Sequence, residues 1–98
     1  MNISIPQEEI RTFCEQHHIR KLSLFGSVLR DDFRPDSDID VLVEFEPTAH
    51  VTLYDMYDME EELTNLFRRK VDFRTPQELS RYFRQKVMDN AQKLYERQ

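Results

Sequence analysis

The chain is expected to form an α/β fold: a small, mixed, three-stranded sheet with helices packed mainly on one face. Three observations carry this. Segments with helical and strand periods alternate along the chain. The strand candidates are short and place their apolar side chains on one face. The 98 residues, 39% hydrophobic and 34% charged, with seven Phe and four Tyr, suffice for one core and a single domain spanning 1–98.

The elements follow in order. Ser4, Pro6 and Gln7 read as a helix start, with a capping side chain and a proline in the first turn. Ile10, Phe13, Cys14 and His17 then make one apolar stripe. "KLSLF" (21–25) is a strand ending at Gly26, and "SVLRDD" (27–32) a short helix stopped before Pro35. "DIDVLVEF" (38–45) is the clearest strand. Ile39, Val41, Val43 and Phe45 share one side, while Asp38, Asp40, Leu42 and Glu44 share the other. A helix is expected from Val51 to about Phe67. "KVDFR" (70–74) is a third strand, with Val71 and Phe73 on one side and Asp72 on the other. Thr75 and Glu78 form a capping box around Pro76. They open a last helix carrying Leu79, Tyr82, Phe83, Val87, Ala91 and Leu94 towards the C-terminus. One sheet face is thus greasy and helix-covered, and the other carries carboxylates and stays open.

Charge and cysteine usage narrow the function. Residues 1–67 hold five Lys/Arg against fifteen Asp/Glu, and residues 68–98 hold nine against four. That split argues against sequence-blind binding to a nucleic-acid backbone, which needs one dominant basic face. It suits a site that holds cations and a polyanion together. The lone Cys14 excludes an internal disulfide and suits a reducing cytoplasm. No signal peptide and no stretch near the roughly 18 apolar residues of a membrane span is visible, so a cytoplasmic protein is expected. His17, His18 and His50 lack spaced Cys or His companions and read as structural or solvated.

The chemistry gathers between residues 24 and 45. Asp38 and Asp40, at alternate positions on a strand, place two carboxylates close together on one face. Their repulsion is relieved by a proton or by a hard cation, and Mg²⁺ characteristically takes one or two carboxylates plus substrate phosphates. Gly26, the one glycine, lets the backbone turn and approach a phosphate without a Cβ in the way. Ser27 adds a hydroxyl, and Arg30, one turn on, reaches phosphate oxygens. Asp36, Asp38 and Asp40 imitate the start of a calcium loop, but Val41 stands where its glycine belongs and Pro47 where its glutamate belongs. A Walker A loop is absent, since no GxxxxGK precedes the helix.

Gly26-Ser27, ten residues, then Asp38-x-Asp40 resembles the signature of the DNA polymerase β-like nucleotidyltransferase superfamily. The short chain, "SDIDVLVEF" and the later "KVDFRTP" are similar to its minimal nucleotidyltransferase (MNT) branch. One departure is visible: Asp31 stands where many relatives have a second glycine. The resemblance implies a nucleotidyltransferase core and nucleotidyl transfer from ATP. Asp38, Asp40 and Asp72 would be catalytic and metal-binding, holding Mg²⁺ (two ions), with Asp72 also able to take the proton of the attacking hydroxyl. Gly26, Ser27 and Arg30 would hold the nucleotide phosphates. Stand-alone MNT proteins are typically antitoxins of HEPN-type toxin ribonucleases, and some move AMP onto a toxin tyrosine. A HEPN-type toxin is therefore the implied partner, with no direct nucleic-acid contact and no membrane. Neutralisation by contact alone is the alternative, and transfer to a small molecule such as an aminoglycoside is disfavoured by the lack of an acceptor domain. Val51, Leu53, Tyr54, Met56, Tyr57 and Met59 nearly encircle the first turns of the helix at 51–67, which reads either as a helix wedged between the sheet and a neighbouring helix or as surplus apolar surface of the kind interfaces use.

Overall fold

A computed structural model describes residues 3–97; Met1, Asn2 and Gln98 lie outside the described residues. The order is α1 (Gln7–Gln16), β1 (Ile19–Phe25), a 3₁₀ turn (Gly26–Leu29), β2 (Ile39–Phe45), α2 (Leu53–Phe67), β3 (Val71–Arg74), a second 3₁₀ turn (Pro76–Glu78), α3 (Arg84–Asn90) and β4 (Gln92–Glu96). The sheet runs β3-β2-β1-β4. β2 lies antiparallel to β1 and parallel to β3, and α2 makes the crossover that a parallel pair requires.

The alternation read from the sequence sets the two faces. Leu22 and Leu24 stand opposite Val43 and Val41, and Ile39 and Val41 stand beside Val71 and Phe73. All are buried in one cluster with Ile10, Phe13 and Cys14 of α1 and Met59, Leu63 and Phe67 of α2. The α/β class and the helix-covered face are as expected. α2 begins one capping residue later than its apolar pattern: the Thr52 hydroxyl accepts from the Asp55 N–H, and the Asp55 carboxylate accepts from the Thr52 N–H. Its side chains also close the outer edge of β3, where Thr64 Oγ1 accepts from the Val71 N–H (3.1 Å) and Glu60 Oε2 from the Phe73 N–H (2.9 Å). Capping those edge amides removes a template for unwanted strand pairing.

Four expectations are corrected. Among the described residues the sheet has four strands rather than three, because the expected last helix stops early. The Thr75–Glu78 capping box forms, but Leu79 turns extended, only Arg84–Asn90 is helical, and Gln92–Glu96 pairs with β1. A helix running on to the C-terminus would have left the outer edge of β1 bare. At 27–32, only the 3₁₀ turn Gly26–Leu29 forms and Arg30 is extended, since so short a helix gains too few hydrogen bonds to offset its nucleation. Pro6, not Ser4, occupies the cap position of α1, and no side chain caps it. Finally, the carboxylate face is only partly open. Leu42 and Ser23, partners across β1 and β2, are each 3% exposed. The Pro76–Glu78 turn approaches β2 there and α3 approaches β1.

His17 caps α1 and joins it to α2, its Nε2 lying 3.0 Å from Glu62 Oε1 and its ring 4.8 Å from that of Phe13. This is the structural role expected for it.

Candidate functional site

The sheet brings the sequence-predicted carboxylates together by register. Asp40 on β2 stands beside Asp72 on β3, and across β1 it faces Phe25, the residue before Gly26. Adjacent strands lie about 4.8 Å apart, so the Asp40 and Asp72 side chains share one patch of the same face. Asp38 is exposed, one residue before β2 begins. Asp40 is half-buried. Burial raises its pKa above the ordinary aspartate value, and the charges of Asp72 and Asp38 push it further up. The Arg74 guanidinium and the Ser27 backbone N–H pull in the opposite direction.

Gly26 has a reason for being glycine beyond phosphate approach. Its φ is +74°, a left-handed conformation costly for any residue with a Cβ. A Cβ built there would also fall inside van der Waals contact of a carboxylate oxygen of Asp40. The turn and the acid are thus fitted to one another. The Ser27 backbone amide lies close enough to Asp40 to favour its charged form, so this turn adds a polar group beside the carboxylate cluster.

Arg30 is exposed beside this turn. It follows the 3₁₀ turn in extended conformation, and its Nε donates to Asp32 Oδ1 at 3.3 Å. A four-residue turn also supplies no helix dipole of the size a true helix would.

Two arginines matter that the sequence reading passed over. Arg74 lies two residues after Asp72 on β3, hence on the same face, and its Nε donates to both Asp72 oxygens at 3.1 Å. Strand alternation applied to "VDFR" would have found it. Arg69, in the turn between α2 and β3, ties down the loop that leads into Asp38. One guanidinium nitrogen donates to the carbonyls of Arg34 (2.6 Å), Pro35 (2.7 Å) and Ser37 (3.0 Å). The same guanidinium stacks 4.4 Å over the Phe33 ring. No local sequence signal marks that contact, which spans more than thirty residues.

The cluster's chemistry suits a divalent cation. Carboxylates crowd a half-buried Asp40, and an arginine already offsets part of their charge. Among the described residues no three His, Cys, Asp or Glu side chains are grouped so as to hold a metal ion, so Asp38, Asp40 and Asp72 do not make a ready-formed three-carboxylate site. That arrangement suits a cation that completes its shell with water and phosphate, as Mg²⁺ does. A separate apolar groove of about 620 Å³, lined by Phe45, Val51, Met56 and Tyr57 among others, lies at the far end of β2 from Asp40. Among the described residues no helix is long and apolar enough to cross a membrane.

Comparison with known proteins places this geometry. The family described as "Polymerase beta, Nucleotidyltransferase" matches residues 8–98. The provisionally named protein adenylyltransferase MJ0435 of Methanocaldococcus jannaschii is 29% identical over 91 residues, 93% of this chain and 96% of that protein. A solved structure provisionally described as a minimal nucleotidyltransferase superposes with a TM-score of 0.71 at 33% identity, covering 87% of this chain and 85% of that one. A complex described as a tri-AMPylated Shewanella oneidensis HEPN toxin with MNT antitoxin shares the fold, with a TM-score of 0.66 at 18% identity, covering 93% of this chain and 70% of that one. The paired carboxylates beside a Gly-Ser turn thus stand in a fold that other chains share, and the chain belongs to the polymerase beta nucleotidyltransferase family.

Proposed function

We propose that this chain is an Mg²⁺-dependent nucleotidyltransferase that moves AMP from ATP onto a hydroxyl, a tyrosine, of a HEPN-type toxin, and so acts as that toxin's antitoxin. The observation that carries this reading is the register of Asp40 with Asp72, beside a Gly26 turn whose neighbouring N–H lies close to Asp40. The names of similar proteins support it: one is provisionally named a protein adenylyltransferase, and a chain that shares the fold is described as an MNT antitoxin in complex with an AMPylated toxin.

In this reaction the acceptor oxygen attacks the α-phosphorus, the bond to the β-phosphate breaks, and pyrophosphate leaves. Asp38 and Asp40 would hold Mg²⁺, with Asp72 on the acceptor side. When bound there, the cation neutralises phosphate charge and orients the entering and leaving oxygens. Asp72 accepts the acceptor hydroxyl's proton, and its bond to Arg74 holds the carboxylate in place for that task. The N–H groups at Gly26 and Ser27 hold the departing phosphates. Because the Ser27 amide also favours the Asp40 carboxylate, phosphate and carboxylate compete for it. Arg30, exposed at the end of the Gly26–Leu29 turn, would add a positive charge for the polyphosphate.

A second reading, neutralisation by contact alone, draws on α2. Leu53, Tyr54 and Tyr57 are 87%, 85% and 64% exposed, an apolar surface suited to a protein interface. The experiment is transfer of label from α-labelled ATP to the purified partner toxin, with and without Mg²⁺. Label on the partner supports the transferase. No label, with the partner still inhibited, supports contact alone.

A further inference from the structure

A second groove adjoins the carboxylate site; it shares Gly26 and Arg30 with the scheme above, and its other residues have no part in that scheme. Phe25, Gly26, Leu29 and Arg30 form one wall, and Phe83, Lys86, Val87 and Asn90 of the α3 segment form the other, enclosing about 680 Å³. That lies within the roughly 300–1,000 Å³ usual for small-molecule sites. We propose that this groove receives the nucleoside part of the nucleotide substrate, with Phe83 as the face on which the base stacks. The inference rests on the nucleotidyl-transfer reading of the neighbouring site.

Three features point to that occupant. The first is continuity: Gly26 belongs to both sites, and Phe25 stands opposite Asp40 in the β1–β2 register. A nucleotide with its phosphates at the Gly26 turn therefore has its nucleoside within reach of the groove. The second is chemistry. The walls carry four apolar side chains, two cations and an amide, but no carboxylate. That lining repels a bare metal ion and suits a π-faced, anion-bearing ligand. It also gives a use to the basic C-terminal third of the chain, to which Lys86 belongs. The third is exposure. Phe83 is 64% exposed and Leu29 is 37% exposed, so both keep apolar surface that a flat ring would cover.

The wall is built rather than loose. Arg84, next to Phe83, donates from Nε to the Pro76 carbonyl (2.7 Å) and from Nη2 to the Leu79 carbonyl (3.1 Å). The Phe83 N–H donates to the Ser80 carbonyl (3.0 Å), and the Val87 N–H donates back to Phe83 (2.9 Å). These bonds fix the backbone that carries the ring.

The test uses the full chain with Mg²⁺ and two probes, ATP and inorganic tripolyphosphate, by titration calorimetry. Base–aromatic stacking of the usual strength predicts that Phe83→Ala weakens ATP binding about tenfold or more. Tripolyphosphate binding should stay within about twofold. The chain contains no tryptophan, so Phe83→Trp adds a single reporter that keeps an aromatic face. ATP should quench it and tripolyphosphate should not. Undiminished ATP affinity in Phe83→Ala overturns the proposal, and if that variant instead loses the partner toxin, the groove belongs to the protein partner. A wild-type chain that binds neither probe overturns the transferase reading itself, and this inference with it.

Discussion

Substituting the single glycine separates backbone strain from site geometry. In Gly26→Ala the φ of +74° costs about 1–2 kcal/mol for a residue with a Cβ. The new methyl group also overlaps the Asp40 carboxylate, which is the movable end of a short side chain and swings away. That movement takes the carboxylate away from the Ser27 amide, which favours its charged form, at a cost of about 1 kcal/mol at a half-buried site. The total is about 2–3 kcal/mol, or a fall in Tm of roughly 10–20 °C at about 4–8 °C per kcal/mol for a domain of this size. The strain and overlap terms part company in an Asp40→Ala background. There the nearest remaining Asp40 atom, Cβ, lies 3.6 Å from the built methyl, an ordinary contact. Gly26→Ala should then cost only the strain, about 1–2 kcal/mol, leaving a coupling of about 1 kcal/mol in a double-mutant cycle by urea unfolding. Equal costs in the two backgrounds would refute the fitted turn and acid. Gly26→Asn adds a check, since Asn tolerates left-handed backbone but still carries a Cβ. It should recover stability relative to Ala while still displacing the carboxylate.

Other expectations follow from the same contacts. Asp40 binds its proton more tightly in the folded chain than in the unfolded one, so its ionisation costs stability as pH rises above the ordinary aspartate pKa of ~3.9. Without metal, Asp40→Asn should therefore be more stable than the parent near neutral pH. The advantage should shrink as pH falls towards 4 in thermal melts across that range, and an advantage that grows on acidification would contradict the burial and crowding around Asp40. Arg69→Ala removes three bonds to the 34–37 loop and a stacked ring, and should cost about 1–3 kcal/mol in urea unfolding. Amide exchange should quicken through residues 33–38 first. Arg74→Ala removes a cation that competes for Asp72, so Mg²⁺ should raise Tm at lower concentration than in the parent, and an unchanged midpoint would count against that competition.

The site was legible in the sequence wherever a strand period governs it. Alternation in "DIDVLVEF" and "VDFR" put Asp40 and Asp72 on one face, and the β2–β3 register brings them side by side. Both capping boxes, at Thr52 and Thr75, are local chemistry, and the second is the plainer one in sequence because Pro76 follows its threonine. What escaped depends on distant parts of the chain. Gln92–Glu96 is a strand only because β1 offers an unpaired edge; Ala91 and Leu94 otherwise fit a helical spacing. The grip of Arg69 on the loop before Asp38 joins residues over thirty positions apart. The reason for Gly26 was half legible. A turn was evident, whereas the closeness of Asp40 comes from the β1–β2 pairing.

The most direct test of the central claim is the intact mass of the proposed HEPN-type partner, purified after co-expression with this chain or with its Asp38→Asn/Asp40→Asn form. The account predicts a partner heavier by one or more adenylyl units with the unmutated chain and unmodified with the double variant. A partner that is unmodified yet neutralised and bound in both cases would contradict it, and would leave contact as the means of neutralisation.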